Sequence, residues 1–206
     1  MKNSLKNKLN NRQFRSMEPL QIRAEAENAE SSFLVEGYAM KFAPYKLYED
    51  LDGNPVYEEF KREAFNGADF SDVIMLYDHQ GKVFARTSNN TLQVTLDDIG
   101  MYMKADLSKS KAAREMYEEI QAGLVTKMSW AFMPKEYEFD EETRTIVHSS
   151  VGKVYDVSAV GIPANNDTSI NARKFADGVI GEFETERSKV RRARMLLNLE
   201  IELLKE

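Results

Sequence analysis

The stretch "TKMSWAF", Thr126–Phe132, sets the reading of the fold. Its large apolar residues, Met128, Trp130 and Phe132, fall at every second position, the pattern of a strand with one buried face. Ser129 then points to the opposite, wetter face with Lys127 and Ala131. On residue pattern alone it is either a spare hydroxyl on a half-buried strand or a nucleophile held on a rigid one.

Strands continue on both sides. Downstream, "KEYEF", "RTIVHSS" and "KVYDVSAV" read as three more, with a turn at Asp140–Thr143 and a stop at Pro163. Upstream, "SKSKAAREMYEEIQAG" is the clearest helix. Ala112, Met116 and Ile120 make one stripe that Ala113 and Tyr117 widen, Ser108 or Ser110 can cap it, and Gly123 can end it. "TLQVTLDDIGMYMKADL" alternates on both sides of "DDIG" and reads as a hairpin. "VIMLY" is a short apolar strand ending in Asp78-His79. "EEFKREAFNG" reads as a short helix with a glycine stop at Gly67, and residues 44–56, with two prolines and an Asp-Gly, as a loop. "LQIRAEA" and "SFLVEGYAMKF" are the first strands.

Together these predict an α+β fold: a mainly antiparallel small β-barrel with one or two packed helices. Residues 1–19 read as a basic flexible N-terminal tail, 20–170 as the barrel domain, and 171–206 as the linker "ADGVIG" and a charged C-terminal helix with Leu196, Leu199 and Leu203 on one side.

Composition narrows the function. A net charge of −6 over 206 residues argues against a nucleic-acid partner. That total is +5 over Met1–Met17, which holds five basic residues and no acid, and −11 over the rest. No apolar run approaches the roughly 20 residues of a membrane span, so no membrane partner is expected either. The absence of cysteine excludes disulfides, thiolate metal sites and cysteine nucleophiles. No glycine-rich phosphate loop is present, and the two histidines lack ligand spacing, so neither cofactor nor metal is expected.

Hydroxyl nucleophiles with a histidine base remain, because a serine needs a neighbouring base to become an alkoxide at neutral pH. The base is His79 or His148. His79 lies just past a buried-looking strand, as a polar cap or an active-site residue would. His148 sits near the Asp140–Thr143 turn, where a solvated histidine is expected. In "KVYDVSAV" alternation puts Val154, Asp156, Ser158 and Val160 on one face. Asp156 is then a carboxylate among apolar neighbours and needs a partner, whether an imidazole, a backbone N–H or Lys153.

Read in order, these pieces resemble the prohead (capsid-maturation) serine proteases of tailed bacteriophages, whose fold is similar to that of the herpesvirus assemblin proteases. The resemblance runs from about Arg12 to Thr168. "NRQFRSMEPLQIRAEA" and "FLVEGYAMKF" look like the family's opening. The histidine of "VIMLYDHQGKVFARTS", the serine of "GLVTKMSWAF" and the acid-Val-Ser of "VYDVSAVGIPANNDTSI" follow in the family's order. The resemblance implies that Ser129 is the nucleophile, His79 the general base and Asp156 the third member, with His148 as the alternative that the herpesvirus relatives suggest. It also offers Arg86 for the oxyanion or for substrate. The implied function is a serine endopeptidase of procapsid maturation, in the host cytoplasm inside the procapsid. Its partners would be the major capsid protein and the scaffolding segment, and it would cut its own tails, with self-association as a further option. The alternative is a catalytically inactive barrel that serves as a capsid scaffold or interaction protein.

Overall fold

The computed structural model describes residues 5–6, 12–24, 33–50, 52–161 and 166–203. Two long strands form its spine, β10 (Lys127–Asp140) and β11 (Thr145–Val160), paired antiparallel from Lys127↔Val160 to Asp140↔Thr145. Each absorbs two of the four short strands expected from the sequence, because Pro134 and the segments around it are taken up as bulges instead of breaks.

Around this spine lie β1 (Leu5–Lys6), β2 (Gln13–Ala24), β3 (Leu34–Lys41), β4 (Tyr45–Glu49), β5 (Pro55–Phe60), β6 (Ile74–Tyr77), β7 (Gln80–Arg86), β8 (Leu92–Leu96) and β9 (Gly100–Asp106). The main path runs β4-β5-β11-β10-β2-β3-β9-β8. β11 also carries two parallel partners on one edge: β5 along Thr145–His148 and β6 along Asp156–Ala159. Among the described residues this branching sheet stays open, since the β4 and β8 ends do not pair with each other, so no closed barrel is seen. Among the described residues the fold is α+β, mostly sheet, with two α-helices.

The β8–β9 hairpin forms where "DDIG" predicts it. The Asp97 carboxylate accepts from the N–H groups of Ile99 and Gly100. Glycine is required at position 100 because a Cβ there would lie 2.0 Å from the Met40 carbonyl oxygen. Helix α1 (Lys111–Gln121) is capped by Ser110, which accepts from the Ala113 N–H, and Gly123 follows it with a positive φ. Its buried stripe is Ala113, Met116, Tyr117 and Ile120. "EEFKREAFNG" supplies the end of β5 and a single 3-10 turn, Arg62–Phe65, where a short α-helix was expected. The expected 44–56 loop holds β4 and the start of β5, tied at Asp50, whose carboxylate accepts from the Asp52 and Asn54 N–H groups.

Two other expectations are corrected. "ADGVIG" is no linker: helix α2 (Asn166–Leu203) runs through it and buries Phe175, Ala176 and Val179 against Val56, Tyr137 and Ile146. Further along, Val190, Met195, Leu196, Leu197, Leu199 and Ile201 are exposed. The N-terminal tail is structured at its inner end, because β2 begins at Gln13 and buries the Arg15 side chain. Most of residues 1–11 lies outside the described residues. Trp130, Phe132, Phe60 and Phe65, with methionines 40, 75, 101, 103 and 128, fill the main core.

Candidate active site

Three elements meet at one place. β10 supplies Ser129, β11 supplies Asp156, and the turn between β6 and β7 supplies His79. That turn is a two-residue hairpin, with Tyr77 and Gln80 paired across it. Asp78 and His79 are its two central residues, and both have positive φ, 46° and 61°. A right-twisted hairpin demands this of a two-residue turn, although it costs a non-glycine residue some strain. β6 is also bonded to β11 at Asp156–Ala159, which brings the turn and its imidazole alongside Asp156.

Asp156 reaches this face through a bulge. Ala131 pairs with Asp156, but its neighbour Phe132 pairs with Val154, so Tyr155 is the extra residue. The bulge breaks the expected alternation. Val154 joins the aromatic core, and Asp156 shares the other face with Ser129 and Ser158.

The His79 Nδ1 lies 2.6 Å from Asp156 Oδ1, and its Nε2 lies 2.6 Å from Ser129 Oγ. A carboxylate only accepts, so it accepts a hydrogen bond from Nδ1–H and leaves the Nε2 lone pair facing the serine hydroxyl. Ser158 Oγ donates to Asp156 Oδ1 at 2.6 Å, and the Arg12 guanidinium is ion-paired with Oδ2. The Phe14 ring packs on the His79 ring at 4.7 Å. Ser129 Oγ also lies 2.9 Å from the Arg15 carbonyl, a second acceptor for its one proton.

The face expected to be wet is therefore covered. Ser129 is 2 % exposed, and the Asp156 side chain is fully buried. The cause is β2, which pairs with β10 through Ser129↔Ser16, Trp130↔Arg15 and Ala131↔Phe14 and lays its first residues over the site.

The other sequence candidates lie elsewhere. His148 is fully buried, where a solvated side chain was expected. It stacks on Phe60 at 4.3 Å, and its Nε2 meets Glu58 Oε1 at 2.8 Å. Arg15 and the Tyr45 hydroxyl donate to the same carboxylate, and the Arg15 guanidinium sits over Phe132 and Phe175. Burial by itself would raise the Glu58 carboxyl, but Arg15 and His148 outweigh it and hold it at about 2. Burial pushes His148 below its ordinary value, with Glu58 opposing. Arg86 forks onto Asp72, on the side of β6 away from β11. Its ion pair holds the Asp72 carboxyl below the usual range.

Sequence reasoning missed Arg12, Phe14, Arg15 and Ser158 as members of this region. Ser158 was legible as the residue two beyond Asp156 on one strand face. The other three sat in a stretch read as tail, where the alternation of "RQFRS" was the available signal.

A family model described as caudovirus prohead serine protease matches residues 18–178. The match spans Ser129, His79 and Asp156 and begins after Arg12, Phe14 and Arg15. No curated protein and no solved structure matches the chain.

Proposed function

The chain belongs to the caudovirus prohead serine proteases, and from that membership we propose that it is a serine endopeptidase with Ser129 as nucleophile, His79 as general base and Asp156 as the group that orients it. The observation that carries this reading is the unbroken line Ser129 Oγ, His79 Nε2, His79 Nδ1, Asp156 Oδ1, with 2.6 Å at each of its two hydrogen bonds.

Each group then has a task. Asp156 holds the imidazole in the tautomer whose Nε2 can accept a proton. As Ser129 Oγ attacks a peptide carbonyl carbon, its proton passes to Nε2. The tetrahedral intermediate collapses, the C–N bond breaks, and His79 returns that proton to the leaving amine. Water, deprotonated by His79, then hydrolyses the acyl-enzyme and restores the serine. Arg86 enters this reading only through the β6–β7 hairpin that it ties to Asp72.

The substrates in this proposal are the scaffolding protein, or the scaffold-like region of the major capsid protein, and the enzyme's own tails. The setting is the interior of the procapsid in the host cytoplasm. Among the described residues no helix is long and apolar enough to cross a membrane. Co-expression of the chain with its capsid and scaffold proteins tests the reading. Processing should occur with the natural chain and stop with Ser129→Ala. Processing that survives Ser129→Ala would overturn it in favour of a scaffold or interaction role.

A further inference from the structure

The buried Asp156 carboxylate needs a counter-charge that does not come from His79. A base must be neutral at rest, so an imidazolium paired with Asp156 would leave no acceptor for the serine proton. A fully buried carboxylate without a cation is costly. A carboxylate beside an imidazole favours its charged form, and a cation on the carboxylate's other oxygen opposes that effect.

The chain supplies another cation. Arg12, just before β2, is ion-paired with Asp156 Oδ2 and leaves Oδ1 to His79 and Ser158. Its guanidinium is itself held in place, over the Phe14 ring at 5.2 Å and the Tyr155 ring at 4.8 Å. Tyr155 is the bulged residue that turns Asp156 toward the site. β2 is anchored three residues on by Arg15, buried against Glu58. Among the described residues, the charged and titratable groups around the pair include Arg12 from the segment before β2, Asp156 and Tyr155 on β11, and Asp78 beside His79 in its own turn. Lys153, the next cation along β11, is already paired with Asp69.

We propose that Arg12 is a positioning residue of this site: it balances the charge of Asp156 so that His79 rests neutral, and it makes the base depend on the N-terminal segment. The inference rests on the proposed triad, and it assigns a role to a residue that precedes the stretch matched to the family. A cut in the N-terminal tail before Arg12 leaves the site whole, whereas a cut after it removes the counter-charge.

Two measurements test this. In the first, kcat/KM on a peptide substrate is followed against pH. Removing a positive charge next to Asp156 favours the protonated imidazole, so Arg12→Gln should move the acid limb up by about one pH unit. The alkaline plateau should stay near that of the natural enzyme, and Arg12→Lys should keep the original limb. In the second, the imidazole of His79 is titrated by NMR in the Ser129→Ala chain, with and without Arg12→Gln. The chain has only two histidines, and this arm reads the charge of His79 without any activity. The same upward displacement is expected there. An unmoved limb and an unmoved titration would make Arg12–Asp156 an ion pair with no influence on the base and overturn the inference. A uniform rise in rate at every pH would make the segment a lid instead, which also overturns it. Loss of the proposed function itself would show separately, as peptidase activity undiminished in Ser129→Ala.

Discussion

Val154 and Asp156 are two residues apart on one strand, yet they point to opposite faces of the sheet. The extra residue between them, Tyr155, is a bulge opposite the Ala131–Phe132 step of β10. Val154 packs with Trp130 and Phe132 in the core, and Asp156 turns to His79. In an unbulged strand the two side chains would share a face. The aim of the carboxylate is thus a property of the β10–β11 register.

Ser129→Ala should leave the fold intact. It deletes one hydroxyl whose net worth to stability is about 1 kcal/mol. In the proposed mechanism it should lower the turnover of a peptide substrate by about a million-fold, as for a serine that acts as one unit with its base. Thermal melting and a cleavage assay on the same preparation check both halves. A variant that still cleaves at the natural rate would remove Ser129 from the mechanism.

Asp156→Asn and His148→Ala should separate chemistry from stability. Asn at 156 favours the wrong tautomer of His79, and in a serine-protease triad that change costs about 10⁴-fold in kcat. His148 is packed between Phe60 and Phe175 and bonded to Glu58. Its removal leaves a cavity and one fewer donor on a buried carboxylate, about 3 kcal/mol together. Its kcat, measured well below its melting temperature, should stay within about tenfold of the natural enzyme, or about 1.4 kcal/mol in barrier. A folded His148→Ala that is inactive, beside a working Asp156→Asn, would transfer the third role to His148.

Stability should fall as pH drops below about 6.5. His148 is depressed by burial from an ordinary 6.5, so the unfolded chain takes up a proton there that the folded chain refuses. Its contribution is full above 6.5 and is lost as pH falls toward its folded value. Glu58 acts lower: its stabilisation is full above the ordinary 4.5 and is lost as pH falls toward about 2. Urea midpoints at pH 7 and pH 5 should therefore differ in the natural chain and differ less in His148→Gln. Glu58→Gln, which strands the buried Arg15, should cost about 3–5 kcal/mol at pH 7. Equal midpoints at the two pH values in the natural chain would refute the assignment to His148.

The purified chain should shorten itself near one or both ends, while Ser129→Ala stays full length. The first 17 residues carry five basic residues and no acid, and α2 is largely exposed from Glu184 to Glu202. Intact-mass measurements over time decide it. Identical trimming of both forms would point to a contaminating protease.

Local pattern was enough to find much of this protein. The alternation of "TKMSWAF" placed Trp130 and Phe132 in the core, "DDIG" marked a hairpin, and Ser110 and Gly123 bracketed a helix, because each depends on residues within a few positions of one another. The order of the His79, Ser129 and Asp156 segments carried the family resemblance. What the local pattern could not carry was set by pairings between distant strands. Only the β6–β11 and β10–β11 registers bring residues 79, 129 and 156 together. Only the bulge at Tyr155 turns Asp156 away from Val154. Only the docking of β2 on β10 turns a basic "tail" into the strand that buries Arg15, covers Ser129 and delivers Arg12 to Asp156. Likewise His148 reads as solvated beside its turn and is buried because β5 and α2 close over it. Burial and charge pairing are sums over contacts from the whole chain, and a window of neighbouring residues does not contain them.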